Sequence, residues 1–370
     1  MECPLCGEKE PFEVIDELEF ELVGKPTFIR PVMCGGCGLV FLNPPTEQSL
    51  LFDYYTAQDR YPSETAAYRE QVEMIAEHFK KGAVLDIGSY DGRLLYELSN
   101  EFLSSVAIYG VEPDKTVEPI IDYVQWENFA TVYLLGLEFD LITMGHVLEH
   151  LPDALEMLEM CRVMLTRKGL LFIEVPNLCQ PQVQLEPYWT AQHLWYFSTH
   201  ALEALLMKAG FEVVETQLTD YNAIRVIAKP GKPSQKQLDP GQTRKTIGAY
   251  YRAYWKELGR IKDILTNVQG RIAVFGAGEH SRWLAKTFPA FWDGVEFILD
   301  SNPTKWGIEF LGRQVVAPNQ LPGFIDSVII SSYDTQGEMA GIIDEMPGSR
   351  AVKLYKSEHI KAYDTWKDND

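Results

Sequence analysis

The chain has 370 residues, of which 46% are hydrophobic and 12% aromatic, a composition that suits folded domains and excludes a disordered chain. Its formal net charge of −20 argues against nucleic acid as a partner, because such binding depends on Lys and Arg contacts to phosphate. No apolar run approaches the roughly 18 residues of a membrane span, and the N-terminus lacks the features of a signal peptide. We therefore expect a cytoplasmic protein that binds neither nucleic acid nor membrane.

Four cysteines near the N-terminus form two CxxC pairs, Cys3 with Cys6 and Cys34 with Cys37. Two such turns supply four thiolates, which is the number that a closed, tetrahedral zinc site requires. So short a segment buries little apolar surface, and a bound metal would supply much of its stability. The spacing predicts a structural Zn²⁺ site in a module of residues 1–45. An iron–sulfur site and free thiols are the alternatives.

The middle of the chain alternates strand-like segments with helical patterns. The strand-like segments are AVLDIGS, VAIYGVE, FDLITMG and GLLFIEVP. This alternation predicts an α/β domain with a parallel, doubly wound, Rossmann-like sheet over residues 46–230. A segment rich in Pro and Gly and a long amphipathic helix follow, and we assign residues 231–268 to this linker and helix. Residues 269–370 repeat the strand, glycine loop and helix pattern and are predicted to form a second Rossmann-like domain.

The first strand of the α/β domain leads into a glycine loop in the segment VLDIGSYDGRLL. Asp86 ends the strand, and Gly88 and Gly92 flank Ser89-Tyr90-Asp91. The third glycine of the dinucleotide-binding fingerprint is absent. The helix that follows has an apolar stripe of Leu94, Leu95, Leu98 and Phe102.

An acid ends the next strand at Glu112, which lies 26 residues after Asp86. A carboxylate at this position is suited to accept hydrogen bonds from both hydroxyls of a ribose. Beyond it, Trp126 offers a ring for packing against a base, and Glu127 and Asn128 offer polar groups for the edge of that base. The segment VLEHLPD then follows the strand FDLITMG.

This order of loop, acid and fourth-strand segment resembles the class I S-adenosylmethionine (SAM) methyltransferases. DIGSYDG resembles their D/E-x-G-x-x-x-G loop, and VLEHLPD resembles the segment after their fourth strand. The resemblance implies that SAM is the cofactor and that the loop surrounds its amino-acid part, whereas the later residues hold the ribose and adenine. The implied residues are Asp86, Gly88, Ser89, Gly92, Glu112, Trp126, Glu127 and Asn128. A Rossmann-like domain that binds no cofactor is the alternative.

The same segment also matches a zinc-protease pattern, H-x-x-E-H, at residues 146–150. That chemistry would require His146 and His150 to share one face of a helix. The match follows a buried strand and ends at Leu151-Pro152, which leaves little room for such a helix. We therefore favour the methyltransferase interpretation.

The resemblance extends over almost the full chain to the deoxysugar C-methyltransferases. The features that carry it are the two CxxC pairs, the glycine loop, the HLWYFS segment and the C-terminal α/β block. It implies methylation of a carbon beside the keto group of a nucleotide-linked 4-keto sugar, through an enolate. His193 matches the family's base, and His150 matches a histidine suited to the enolate oxygen.

This sequence departs from the family pattern near that base. Thr190 and Gln192 stand where the family has tyrosine and glutamate. Tyr196, Tyr188 and Glu186 are candidates to replace the missing groups. The alternative functions are O- or N-methylation of a glycan or other small molecule, and a non-catalytic nucleotide-binding scaffold.

The C-terminal block begins with RIAVFGAGEHSRWLAK, and the next strand ends at Asp300. Ser281 replaces the third glycine of a dinucleotide fingerprint, which weakens the case for NAD. A structural domain without a ligand is one interpretation. The other is a wall of the substrate site that binds a nucleotide diphosphate, with Lys305 and Arg282 as candidate phosphate contacts.

Overall fold

The fold is known from a computed structural model that describes residues 2–57, 65–181, 183–333, 335–346 and 348–355. The chain divides into two compact units. The first comprises residues 1–181 and 189–247, and the second comprises residues 182–188 and 248–370. The cysteine pairs therefore belong to the same unit as the glycine loop.

The described residues contain ten α-helices. They are α1 (Gln48–Ala57), α2 (Thr65–His78), α3 (Arg93–Phe102), α4 (Phe129–Leu134), α5 (Ala154–Met164), α6 (Thr199–Lys208), α7 (Pro240–Asn267), α8 (Glu279–Thr287), α9 (Pro289–Trp292) and α10 (Gln336–Asp344). None of these helices has both the length and the apolar composition of a membrane span.

The strands of the first unit are β1 (Glu13–Val14), β2 (Leu18–Leu22), β3 (Lys25–Ile29), β4 (Pro31–Met33), β5 (Val40–Leu42), β6 (Gly82–Ile87), β7 (Val106–Val111), β8 (Val124–Trp126), β9 (Phe139–Gly145), β10 (Leu165–Pro176), β11 (Trp195–Tyr196), β12 (Phe211–Leu218) and β13 (Ala223–Pro230). Those of the second unit are β14 (Ile272–Phe275), β15 (Val295–Leu299), β16 (Glu309–Phe310), β17 (Arg313–Val316), β18 (Ser327–Ile330) and β19 (Arg350–Lys353).

A seven-stranded sheet with the order β12-β13-β10-β9-β6-β7-β8 forms the centre of the first unit. Strands β6 to β10 pair in parallel, and the connecting helices cover the sheet. Leu94, Leu95, Leu98 and Phe102 are all buried on α3, as their spacing predicts. The α/β Rossmann-like fold is thus confirmed.

The prediction of an all-parallel sheet is wrong at one edge, because β13 runs antiparallel to both β10 and β12. A tight turn joins β12 to β13, in which Ala223 N donates to Thr219 Oγ1 at 2.9 Å. Asn222 adopts a positive φ of 70° in this turn. A hairpin connection of this kind forces neighbouring strands to run in opposite directions.

A second, four-stranded sheet links the cysteine segment to the segment that contains His193. Its order is β1-β4-β5-β11, and β11 pairs with β5 through Trp195 opposite Phe41. Leu42 N also donates to Leu194 O at 3.0 Å. The N-terminal strands therefore hold the backbone on the C-terminal side of His193.

The second unit contains a six-stranded sheet with the order β16-β17-β15-β14-β18-β19. All its pairs are parallel except β16 with β17. Strands β15 and β14 lie at the centre of this sheet.

Candidate active site

A cavity of about 820 Å³ lies at the carboxyl ends of β6 and β9 in the first unit. Strand order reverses at β6, because β7 follows on one side and β9 lies on the other. Ligands of open α/β sheets bind at such a reversal, where the loops diverge and leave a crevice. Of the predicted cofactor residues, the cavity is lined by Asp86, Gly88, Ser89, Glu112, Glu127 and Asn128.

Glu112 organises the glycine loop. Its two carboxylate oxygens accept hydrogen bonds from the backbone N–H groups of Tyr90 and Asp114, each at 2.9 Å. Tyr90 adopts a positive φ of 46°, and Gly88 and Gly92 adopt φ values of 76° and 77°. A Cβ at Gly88 would lie 2.5 Å from Val147 Cγ2, so a side chain there is excluded by contact as well as by backbone conformation.

Asp86 is a buried acid in the cavity wall. Burial and the charge of Glu112 raise the pKa of Asp86, whereas the hydrogen bond from Thr143 Oγ1 at 2.7 Å lowers it. The net result is a pKa of about 7. The carboxyl group is therefore only partly ionised at neutral pH, and a cation nearby would favour its ionised form.

Two predicted cofactor residues do not line the cavity, namely Gly92 and Trp126. The Trp126 ring stacks on Tyr109 with centroids 5.7 Å apart, so it packs against its neighbouring strand. Phe129, which sequence reasoning missed, contributes an aromatic ring to the wall instead. Asn128 caps α4, because its Oδ1 accepts from Thr131 N at 2.9 Å.

The other end of the cavity is rich in groups that handle protons. Its lining includes Tyr55, Tyr68, Gln71, His146, His150, Glu174 and Tyr221. His146 Nε2 lies 3.0 Å from Glu174 Oε1, and His146 Nδ1 lies 3.3 Å from Glu149 Oε1. Burial opposes its protonation, but the two carboxylates raise the pKa of His146 to about 10. The His146 side chain is 47% exposed and presents a positive charge to the cavity.

Buried partners hold Glu174 ionised beneath this histidine. Arg225 Nε donates to Glu174 Oε2 at 2.5 Å, and both side chains are almost fully buried. Tyr221 donates to the same oxygen at 2.9 Å. Burial alone would raise the pKa of Glu174, but His146 and Arg225 lower it to about 2.

His146 and His150 do not share a helix face, which contradicts the zinc-protease pattern. His146 has a positive φ of 53°, and a single 3₁₀ turn, Leu148–His150, follows it. The two side chains reach the cavity from an irregular loop.

His150 is oriented by its neighbours. Its Nδ1 lies 2.9 Å from Gln192 O and 2.7 Å from the Tyr55 hydroxyl. Because a carbonyl oxygen can only accept, Nδ1 carries a proton, and Nε2 lies 3.7 Å from Glu149 Oε1.

His193 lies next to His150, with ring centroids 4.9 Å apart, but it does not line this cavity. Burial and the neighbouring His150 lower the pKa of His193 to about 3, so the ring is neutral at physiological pH. The segment is fixed on both sides, because Thr46 Oγ1 donates to Ala191 O at 2.6 Å and Leu194 N donates to Glu149 O at 2.8 Å.

Tyr196 is positioned for packing. Its hydroxyl accepts from Thr190 N at 2.8 Å and donates to Thr190 O at 2.9 Å. The side chain is buried and does not line the cavity. These contacts argue against the predicted catalytic role of Tyr196. Tyr188 and Glu186 belong to the second unit.

The four N-terminal cysteines converge. Their Sγ atoms all lie within 4.8 Å of one another, with Cys3 and Cys37 3.6 Å apart and Cys6 and Cys34 3.5 Å apart. Glu8 borders the cluster, because Cys34 Sγ donates to Glu8 Oε2 at 2.9 Å.

In the second unit, the candidate phosphate contacts are already paired within that unit. Lys305 Nζ donates to Asp300 Oδ2 at 3.0 Å and to Ala277 O at 2.9 Å. Arg282 lies 3.1 Å from Glu279. These pairs compete with phosphate binding at this glycine loop.

Comparison with known proteins agrees with the predicted domain. Residues 59–216 match the family described as "Methyltransferase domain". The chain is 26% identical to the C-methyltransferase NovU of Streptomyces niveus over 268 residues, which cover 62% of this chain and 60% of NovU. The chain thus spans about 60% of the length of this curated relative. These similarities support the predicted methyltransferase domain in this part of the chain.

Solved methyltransferase structures also align with the chain. A SAM-dependent methyltransferase from Archaeoglobus fulgidus is 18% identical, with a TM-score of 0.39. The alignment covers 50% of this chain and 100% of the Archaeoglobus chain. The CcbJ methyltransferase from Streptomyces caelestis is 17% identical, with a TM-score of 0.37, and the alignment covers 47% of this chain and 94% of that one.

The raised pKa of Asp86 predicts a pH-dependent effect of Asp86→Asn on stability. The folded-state pKa of about 7 exceeds the reference value of 3.8, so the folded state loses stability as pH rises between these values. Without ligand, Asp86→Asn should raise the free energy of unfolding by about 2–4 kcal/mol at pH 8. It should have little effect near pH 3.5. Urea unfolding at both pH values measures this difference, and equal effects would contradict the assigned pKa.

Proposed function

We propose that this chain is a SAM-dependent methyltransferase that methylates a carbon beside the carbonyl group of a nucleotide-linked sugar. The observation that carries the cofactor assignment is the charge of the cavity wall. Four carboxyl groups line it, those of Asp86, Glu112, Glu127 and Glu174, against the positive charge of His146, and its described lining contains neither Lys nor Arg. Such a wall favours a cationic ligand over one that carries phosphates.

The wall residues suit the separate parts of SAM. Glu112 lines the cavity and its carboxylate already accepts two backbone N–H groups, and we propose that it also faces the ribose hydroxyls. Phe129 and Asn128 border the space next to Glu112 and are proposed to contact adenine. When bound, SAM supplies an electrophilic methyl group on a sulfonium, and the ionised form of Asp86 stabilises this cation.

The acceptor is proposed to enter at the histidine end of the cavity. His146 is charged and faces the cavity, so it is placed to stabilise negative charge that develops on a carbonyl oxygen. The buried ion pair of Glu174 with Arg225 holds His146 in place. Since this wall is acidic, we propose that only the sugar enters the cavity and that its nucleotide diphosphate lies outside.

His193 is proposed as the base that removes the proton from the sugar carbon. His193 does not itself line the cavity, but its ring is neutral and partly exposed and lies beside His150, which does, so we propose that the sugar carbon reaches it at the edge of the cavity next to His150. Removal of this proton leaves an enolate, whose carbon is the nucleophile for the methyl group. The similarity to a C-methyltransferase supports carbon as the target. O- or N-methylation is the competing function, because it would not require a carbon acid.

The activity is tested by incubating the chain with labelled SAM and a panel of nucleotide-linked 4-keto sugars. We expect transfer of label to a sugar carbon, and exchange of the same C–H with deuterium from D₂O. Methyl transfer without exchange, and with label on oxygen or nitrogen, would favour the competing function. Failure to bind S-adenosylhomocysteine in calorimetry would instead favour a scaffold that lacks this cofactor.

The role of His193 predicts a large effect of His193→Asn on turnover. General-base catalysis is worth about 10²–10⁴-fold, so turnover should fall by this factor. SAM affinity should change little, because His193 lies outside the cavity wall. The matched control is His200→Asn, an exposed histidine on α6. Near-normal turnover and deuterium exchange in His193→Asn would place the base elsewhere, with His150 as the next candidate.

We also propose that Cys3, Cys6, Cys34 and Cys37 hold a structural Zn²⁺. Tetrahedral coordination at a Zn–S distance of about 2.3 Å places sulfur atoms about 3.8 Å apart. The Sγ pairs at 3.5 and 3.6 Å agree with this geometry. Four protein ligands leave no open position, so we assign the metal to stability.

Zinc binding predicts that Cys34→Ser lowers both metal content and melting temperature. The cluster lies in the segment whose strand β5 pairs with β11, so metal loss should also reduce turnover through the His193 segment. Metal analysis and thermal unfolding measure the effect, and Cys161→Ser, a buried thiol outside the cluster, is the control. Normal zinc content in Cys34→Ser would rule out this site.

A further inference from the structure

Glu149, His150 and His193 form a compact group of potential metal ligands beside the cavity. One ligand atom of each residue lies within 4.8 Å of those of the other two. All three belong to the first unit, and His150 also lines the cavity. Two histidines and one carboxylate are a ligand set that binds divalent transition metals. This group shares no residue with the cluster of four cysteines.

The carboxylate of Glu149 is the feature that points to a cation. Its side chain is 1% exposed, and neither of its oxygens has a hydrogen-bond partner among the described residues. Its contacts with positive groups are long, at 3.3 Å to His146 Nδ1 and 3.7 Å to His150 Nε2. A carboxylate that has lost water and gained no hydrogen bond is costly to bury, and coordination to a metal would compensate for that cost.

The ring of His150 is oriented as the rings of metal-binding histidines are. Its Nδ1 donates to Gln192 O at 2.9 Å, and its Nε2 lies on the side of Glu149. Histidine ligands almost always donate their other ring N–H to a carbonyl or carboxylate, which fixes the ring. Two ligands at about 2.1 Å from a tetrahedral metal lie about 3.4 Å apart. The 3.7 Å between His150 Nε2 and Glu149 Oε1 is close to that separation.

The backbone holds the third ligand next to the other two. Leu194 N donates to Glu149 O at 2.8 Å, and Gln192 O accepts from the ring of His150. Both chain neighbours of His193 are therefore bonded to the turn that carries Glu149 and His150. This arrangement brings the three ligands together before any metal binds.

The burial of Glu149 is compatible with an ion placed among these ligands. Ligand atoms that converge on one point cover one another, and Cys3 and Cys34 of the cysteine cluster are buried in the same way. The ring of His193 is partly exposed, which leaves one side of the group open to an entering ion.

We propose that Glu149, His150 and His193 bind a divalent transition metal such as Zn²⁺ or Co²⁺, and that this metal competes with the base function of His193. A neutral imidazole has one unprotonated nitrogen, which cannot hold a metal and accept a proton from the sugar at the same time. The metal is therefore an inhibitor of methyl transfer. The metal site stands without the proposed function, whereas the competition rests on it.

Cobalt spectroscopy tests the site in the full chain with zinc in its cysteine cluster. Co²⁺ bound by nitrogen and oxygen gives weak d–d bands, whereas cysteine thiolates add an intense charge-transfer band, so the two sites differ in their spectra. We expect one Co²⁺ per chain to bind with d–d bands alone. Excess Mg²⁺ should not displace it, because Mg²⁺ prefers oxygen ligands.

His193→Asn and Glu149→Gln each remove one ligand. Both should weaken Co²⁺ binding by at least about tenfold, since even the partners of metal ligands are typically worth about 10–100-fold in metal affinity. The matched control is His200→Asn, an exposed histidine on α6, which should leave the affinity unchanged. His193→Cys should still bind Co²⁺ and acquire the charge-transfer band, which tests the site in a variant that keeps three ligands.

Deuterium exchange at the sugar carbon tests the competition. Zn²⁺ added in excess of the cysteine cluster should suppress this exchange in the unmodified chain. A chelator that leaves the cysteine cluster loaded should restore it. Unchanged or faster exchange in the presence of bound Zn²⁺ would contradict the competition.

Three results would overturn the metal site itself. The first is a chain that binds no Co²⁺, or binds it only with the charge-transfer band of the cysteines. The second is equal affinity in His193→Asn, Glu149→Gln and His200→Asn, and the third is a His193→Cys variant without the new band. If no sugar of the panel shows exchange, the proposed function fails, and the cobalt titration alone decides the metal site.

Discussion

The reversal of strand order at β6 is the constraint on which the rest of the site depends. Because β7 and β9 lie on opposite sides of β6, the loops that leave their carboxyl ends diverge, and the backbone cannot fill the space between them. The glycine loop after β6 borders this space, and the carboxylate of Glu112 ties the loop to the end of β7. On the opposite side, the irregular loop after β9 brings His146 and His150 to the same cavity.

Buried acids give the site its electrostatic character. Glu149 and Glu174 are ionised beside His146, and their charges keep that histidine protonated. The interior of a protein screens charge weakly, so these groups act strongly on one another and on any ligand. Arg225 balances Glu174 from within the sheet and is itself almost fully buried. A site of this kind favours a cationic cofactor and can also stabilise negative charge at one position beside His146.

The cysteine segment contributes to the site through backbone pairing. Strand β5 pairs with β11, and the Thr46 hydroxyl, in the segment after β5, donates to the carbonyl of Ala191, so the chain on both sides of His193 is bonded to the N-terminal segment. A metal that stabilises this segment would therefore also fix the orientation of His193. The N-terminal segment thus contacts the backbone of the His193 loop, although none of its described residues lines the cavity.

The sequence alone determined those features that depend on local pattern. The alternation of apolar runs and helical stripes predicted the α/β fold, and the CxxC spacing predicted that Cys3, Cys6, Cys34 and Cys37 would meet. The loop and the acid at Glu112 were also predicted, because strand ends in a parallel sheet lie along one edge.

Only the tertiary structure decided which side chains face the cavity. Trp126 packs on Tyr109, and the hydroxyl of Tyr196 is used by the backbone of Thr190, although both are plausible site residues by position. Gln71, Phe129 and Glu174 line the cavity without any motif. The physical reason is that strand pairing and helix packing decide which way a side chain points. These contacts join residues far apart in the chain, so a local sequence pattern does not reveal them.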